Sequence, residues 1–199
     1  MAILSANLTP NPPECKPFSS VAEFQQTCSI NVDNGVIFIA QKATNLVIAS
    51  LPIPRENEDQ QSCNAQVLPH FYQGVLYFVL GSKLYKNAKY VYSFDPSKKS
   101  IEYIVAPLRN PKFFENLLVE FGKGFNLPGP QEKFYVQESV IIIYDLTRPR
   151  EAREVRKHVI EGCSIGGWDG DIEKESREIT AFEHETGETR SFPFSELLK

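Results

Sequence analysis

The sequence predicts an all-β chain, a β-propeller-like array of about four small antiparallel sheets. Three observations carry that reading. Strand-length apolar runs recur along the chain, and each stops at residues that break a β-ladder. The first strands open at Gly35, Gly74, Asn116 and Gly162, which are 39, 42 and 46 residues apart. The second strands end at Ser50, Asp95, Asp145 and Glu183, which are 45, 50 and 38 residues apart. A sheet of three or four short strands cannot bury both faces alone. Stacking such sheets radially gives each face a neighbour and keeps the edges short. An irregular antiparallel sandwich or barrel with evenly spaced hairpins fits the same pattern and stays open as an alternative.

Taken in order, residues 1–27 read as a Pro-rich N-terminal arm, and residues 28–199 as the β domain. Pro10, Pro12, Pro13 and Pro17 block helix and strand interiors alike. Phe18 is placed to pin the arm to the body. A short helix is expected over Val21 to Gln26, capped by Ser19 or Ser20. Ser29 to Ser50 reads as a turn at Asp33-Asn34-Gly35 followed by two strands, Gly35–Ala40 and Asn45–Ser50, and residues 54–62 as a polar loop.

The clearest unit runs from Gln73 to Pro107. Gly74–Leu80, Tyr90–Phe94 and Ile101–Val105 are its three strands, punctuated by Gly81-Ser82, Asp95-Pro96 and Pro107. Val67–Tyr72 adds a strand in front. The next unit places strands at Asn116–Gly122, Ser139–Asp145 and Arg153–Ile160. An irregular Gly- and Pro-rich excursion is expected at Lys123–Pro130. In the last unit Glu178–Glu183 alternates as a half-buried strand does. Thr186-Gly187-Glu188 turns the chain into Thr189–Phe194, and Ser195–Leu198 adds a helical turn.

Composition bounds the function. Apolar residues at 42% and charged residues at 23% allow an ordinary globular core. Fourteen Phe against a single Met favour a stiff aromatic interior over an adaptable surface. The net charge of −4 argues against nucleic acid as a partner. No stretch approaches the roughly 20 apolar residues that a membrane helix needs. Cys15, Cys28, Cys63 and Cys163 form no Cys-x-x-Cys pair, which excludes a zinc-knuckle or thioredoxin-like signature. The start of the chain lacks a basic n-region. The expected setting is a reducing one, cytoplasmic or nuclear, with free thiols.

Two segments carry a resemblance. Tyr90-Val91-Tyr92-Ser93-Phe94-Asp95-Pro96-Ser97 resembles the strand and aromatic–Asp–Pro turn of a kelch repeat. Ile165-Gly166-Gly167-Trp168-Asp169-Gly170 resembles the kelch glycine pair with its aromatic and Asp-Gly. F-box-associated propeller domains have similar units. Ile101 stands where kelch units carry a Trp. The resemblance implies propeller blades. Four units would make a four-bladed ring, as in hemopexin-like domains, or an incomplete ring that needs additional blades from another chain.

Few residues signal chemistry. Gly162-Cys163-Ser164-Ile165-Gly166 has the Gly-x-Ser-x-Gly spacing, but a Gly-Trp-Asp-Gly loop follows it in place of the helix a nucleophile elbow requires. His70, His158 and His184 lack metal-ligand spacing. Asp169, Asp171 and Glu173 alternate after the manner of a calcium loop, without its terminal Glu or flanking helices. No catalytic residue, metal site or cofactor is therefore expected. The binding candidates are Trp168 and Asp169, in a predicted loop, with Arg148 and Arg150 from the one basic cluster. The favoured function is a non-catalytic protein-interaction module that recognises a protein partner through loops on one propeller face. The alternative is an enzyme or small-ligand binder with its site at the mouth of the central channel.

Overall fold

The computed structural model describes residues 18–53, 63–64, 69–82, 89–108, 111–125, 137–149, 153–160, 168–184 and 186–199. The four-proline segment, the polar loop at 54–62 and the Gly-x-Ser-x-Gly spacing lie outside these residues. The chain is mostly β and forms four antiparallel sheets. Sheet A holds β1 (Cys28–Asp33), β2 (Val36–Gln41) and β3 (Val47–Pro52). Sheet B holds β4 (Cys63–Asn64), β5 (His70–Tyr72), β6 (Val75–Ser82), β7 (Lys89–Asp95) and β8 (Ser100–Leu108). Sheet C holds β9 (Lys112–Phe114), β10 (Leu117–Phe125), β11 (Gln137–Asp145) and β12 (Glu154–Ile160). Sheet D holds β13 (Trp168–Glu173), β14 (Glu178–Glu183) and β15 (Thr189–Pro193). Within each sheet, strands that follow one another in sequence pair as neighbours; β4 and β5 both pair with β6. Among the described residues no sheet closes into a barrel.

The helix expected in the arm forms as α1 (Val21–Thr27). Ser20 Oγ accepts from the Glu23 amide at 3.2 Å, and the Glu23 carboxylate accepts from the Ser19 amide and hydroxyl. The Ser20 bond satisfies one of the amides that a short helix leaves open, and the Glu23 carboxylate ties down the residue before the cap. Phe18 and Phe24 pack edge to face at 5.2 Å and enter the core with Phe94. A second short helix, α2 (Phe194–Leu197), closes the chain and buries Phe194 and Leu197.

Turn chemistry explains why the units look alike. Asp33 faces Val36, Tyr72 faces Val75 and Phe114 faces Leu117, so Asn34-Gly35, Gln73-Gly74 and Glu115-Asn116 are two-residue hairpin loops. Asn34, Gln73 and Glu115 have φ near 50°, the conformation such tight hairpins need. Two elements differ from expectation here. β1 and β9 precede these hairpins and make sheet A three-stranded and sheet C four-stranded. Lys123–Phe125, expected in the irregular excursion, instead continue β10 opposite Gln137–Ser139.

A second repeated device ends each central strand. Asp95 accepts from the Ser97 amide and hydroxyl, at 2.9 and 2.6 Å, and Asp145 accepts from those of Thr147 at 3.0 and 2.6 Å. The Glu183 carboxylate accepts from the Thr186 amide in the same way. In sheet A the equivalent place is Gln41, which accepts from Thr44, whereas Ser50 falls inside β3. The hydrogen bonds from Ser97 hold the Asp95 carboxyl below its ordinary value of 3.8. Partial burial pushes Asp145 up, but bonds from Thr147 and Asn116, with the Arg148 charge, outweigh it and leave it lowered.

A carboxyl lowered in the fold binds fewer protons than in the unfolded chain. Its stabilising contribution is complete above about pH 4 and is lost as pH falls through the lowered value. Urea midpoints of Asp95→Asn and Asp145→Asn should therefore lie below the parent at pH 6 and converge on it near pH 2. Parallel pH profiles would show that these turns are not acid-sensitive.

Packing orders the sheets. β6 sends Leu76, Phe78 and Leu80 into one cluster with Ile30, Ile37 and Ile39 of sheet A. The intervening Tyr77 and Val79 join Leu118 and Tyr144 of sheet C. The other face of sheet C gives Val119, Phe121, Ile141 and Ile143 to a third cluster with Ile172, Ile179 and Ala181 of sheet D. Sheets B and C are thus buried on both faces, and this is why the centres of β6, β7, β10 and β11 read as largely apolar runs and not as strict alternation. β1 and β14 alternate instead. Asp171 and Ser191, exposed, and Thr180, half-buried, lie on the far side of sheet D from its cluster. Asn31 and Ser50 lie opposite Phe38 on the far side of sheet A. The outer faces of the terminal sheets mix these polar residues with Phe38 and the exposed Phe182.

Between sheets B and C one polar pair is buried. Tyr144 donates to Glu120 Oε2 at 3.2 Å, and both residues are buried. Burial, then the Glu120 charge, pushes the Tyr144 phenol far up, so it stays a donor.

Candidate functional site

The residues that build the site come from a short repeated phrase. Pro69-His70-Phe71-Tyr72-Gln73-Gly74 and Pro111-Lys112-Phe113-Phe114-Glu115-Asn116 stand 42 residues apart. Each is Pro, a basic or imidazole side chain, two aromatics and a two-residue turn. Pro opens the strand because it cannot donate to the ladder within it. The phrases form β5 and β9, short strands that precede the hairpins of sheets B and C. β13 is the first strand of sheet D and packs beside both β9 and β10.

β5, β9 and β13 converge on a cleft of about 610 Å³. Pro69 and His70 line it from β5, Pro111, Lys112 and Phe113 from β9, and Asp169, Gly170 and Asp171 from β13. Lys89, Lys174 and Phe182 complete its described wall. His70 stacks on Phe113 with centroids 5.1 Å apart and planes 4° apart. Phe182, 38% exposed, presents its ring to solvent.

The cleft has a built frame. His70 Nε2 donates to the Glu115 carbonyl at 2.7 Å. The Glu115 carboxylate accepts from both Arg177 terminal nitrogens, at 2.7 and 3.1 Å. Arg177 also lies 5.2 Å over the Phe114 ring, which stacks on Phe194. Turns of sheets C and D and the edge of sheet B are thereby joined through one residue. The Arg177–Glu115 pair is solvent-exposed, so its worth is under about 1 kcal/mol; its bidentate geometry fixes position. Burial lowers the His70 pKa below 6.5; the Lys174 charge acts the same way, and the Glu115 hydrogen bond opposes them. At neutral pH the ring is uncharged and keeps its proton on Nε2.

The charges are mixed. Lys112 pairs with Asp171 at 3.4 Å, and Asp169 Oδ1 accepts from the Gly170 amide at 2.8 Å. Among its described lining residues are three lysines and two aspartates. Among the described residues no group of three His, Cys, Asp or Glu side chains is arranged to hold a metal ion. The His70 proton is held by a backbone carbonyl, so the ring is part of the wall.

The four residues singled out from sequence separate. Asp169 lines the cleft. Trp168 and Asp169, expected in a loop, instead open β13, with Trp168 opposite Glu183 and Asp169 opposite Phe182. The correction has a physical cause. Asp-Gly-Asp reads as a turn, but Gly170 is in the strand because its Cα lies against the Phe121 ring. Asp169, Asp171 and Glu173 accordingly alternate on one face of a strand, which is not a calcium loop. Arg148 lies in the turn after β11, where it pairs with Asp145 at 3.3 Å and does not line the cleft. Arg150 lies outside the described residues. Sequence reasoning passed over Lys112, Phe113, Lys174 and Phe182, although the repeated Pro-led phrase was a signal for the first two. No helix among the described residues is long and apolar enough to cross a membrane. The sequence matches no protein-family model and no curated protein.

Proposed function

We propose that the chain is a non-catalytic protein-interaction module, a propeller-like array of four blades that recognises a protein partner through a cleft between three of them. The cleft between β5, β9 and β13 carries the reading. Its wall combines aromatic and proline surface with a lysine rim, the composition of an interface core with a polar border. The blade reading is supported by four consecutive meander sheets that pack face to face, and by the kelch-like Asp95 turn.

The test is affinity capture from a cell extract, followed by mass spectrometry, with parent and Phe182→Ser/Lys174→Glu proteins side by side. Proteins enriched by the parent should drop out with the variant, while the two melt at similar temperatures. Identical protein lists from both would remove the cleft from the interaction. A second reading has one observation in its favour: about 610 Å³ lies within the 300–1,000 Å³ range of small-ligand pockets. A small molecule that raises the melting temperature of the parent, and not of the variant, would favour it.

A further inference from the structure

The last strands of the four sheets, β3, β8, β12 and β15, are edge strands. An edge leaves a row of backbone donors and acceptors with which a further strand can pair, and proline blunts it. β3 carries Pro52, β8 carries Pro107 and β15 carries Pro193, whereas β12 carries no proline. We propose that β12 takes an extended acidic segment of a protein partner as an added antiparallel strand. This surface is separate from the cleft, which no residue of β12 lines.

Register and charge define the occupant. Beyond a bulge at Val155, Arg156 to Ile160 pair one for one with Ile143 to Ser139, a regular run along β11. Arg156 and Lys157 are both exposed. Neighbouring side chains on a strand point to opposite faces, so both faces of β12 are open to solvent here. The residues opposite them are Ile143 and Ile142, which offer no charge. Among the described residues the side chain of neither cation forms an ion pair or a hydrogen bond. The one carboxylate of β12, Glu154, lies across the bulge, opposite Tyr144. Val159, two positions from Lys157 on the same face, is 40% exposed. Opposite charges across a ladder support pairing and like charges oppose it. A second copy of β12 would set cations against cations, whereas an acidic strand sets carboxylates against them. Antiparallel pairing, the mode within every sheet of this chain, is the more stable per residue. In that direction the segment reads valine, any residue, glutamate, glutamate. The valine then meets Val159, and the glutamates meet Lys157 and Arg156.

The probe is a fluorescein-labelled peptide, Thr-Val-Thr-Glu-Glu-Val-Thr, with comparison peptides in which both glutamates become glutamine or lysine. Fluorescence anisotropy on the full chain should show the glutamate peptide binding tightest, with affinity falling as salt rises. Arg156→Gln/Lys157→Gln should weaken it about tenfold, the size of two exposed ion pairs lost together. Arg156→Glu/Lys157→Glu should lose the glutamate peptide and gain the lysine peptide, an exchange that misfolding cannot mimic. Two further glutamate peptides carry N-methyl groups on alternate residues. Only one of them should bind, because a strand turns alternate amides toward its partner. Phe182→Ser/Lys174→Glu, which alters the cleft, should bind the glutamate peptide as the parent does.

Equal binding of the glutamine peptide overturns the inference, as does a charge-reversed variant that fails to gain the lysine peptide. Equal affinity of the two N-methylated peptides means that no ladder forms and also overturns it. Loss of the glutamate peptide from the cleft variant places the peptide in the cleft and overturns it. Absence of any peptide binding overturns it too. In each case partners captured by the parent and lost from the cleft variant would leave recognition at the cleft standing.

Discussion

Gly170→Val should destabilise the protein by about 3 kcal/mol, at the upper end of what overpacking a filled core costs. A Cβ at position 170 would overlap the Phe121 ring, reaching 2.6 Å from Cζ and 2.8 Å from Cδ1. Phe121 is itself buried between sheets C and D, so its ring has no vacant direction in which to swing. Glycine within a strand normally costs about 0.5–1 kcal/mol. Here it lets β13 lie directly on the face of sheet C. Gly170→Ala should cost about 2 kcal/mol by the same clash with one methyl. Urea unfolding monitored by circular dichroism measures both. Adding Phe121→Leu to Gly170→Ala should recover part of the loss, since the smaller side chain yields the space. Unchanged midpoints in Gly170→Ala would mean that β13 does not sit against Phe121. The packing of sheets C and D derived above would then fail, and with it one wall of the cleft.

That contact also shows what a reader of the sequence alone can and cannot see. Asn34-Gly35 and Asp95-Pro96 were legible because a tight turn is specified by the residues that make it. So was α1, whose cap Ser20 accepts from the amide of Glu23 three positions on. The strands of sheets B and C were legible too, because burial on both faces leaves a largely apolar run.

β13 was not. Trp168-Asp169-Gly170-Asp171 carries a loop's composition, and the reason it is a strand lies 49 residues upstream in Phe121. β9 escaped for a related reason: three residues are too few to show a period, and its partner strand was read without it. The even spacing of the units held for the hairpins after β1, β5 and β9. Gly162, where the fourth unit was expected to open, lies outside the described residues, and the described hairpin between β13 and β14 turns at Lys174–Arg177. The cleft joins short strands of three sheets, so no local window contains it. Its one sequence trace is the recurrence of the Pro-led phrase at Pro69 and Pro111.

Phe78→Ala should be the more damaging of the two changes, at about 3–5 kcal/mol. Phe78 is fully buried in the cluster that joins sheets A and B, and its ring stacks on Tyr92 with centroids 5.8 Å apart. Tyr92 in turn meets Tyr103 edge-on at 5.5 Å. Truncation removes one member of this aromatic run and opens a cavity whose rim is held by β-ladders on both sides, so little collapse can refill it. Domains of this kind are stable by only about 5–15 kcal/mol, so the loss is a large share of the whole. The variant should therefore melt more than about 6 °C below the parent, at roughly 2–4 °C per kcal/mol for a chain of this size. Adding Tyr92→Leu should then cost less than Tyr92→Leu costs alone, by the roughly 0.5–1.5 kcal/mol that an aromatic pair contributes beyond its buried area. Strict additivity of the two changes would show that the rings do not touch. Sheets A and B would then lack the shared core from which the stack of four is built.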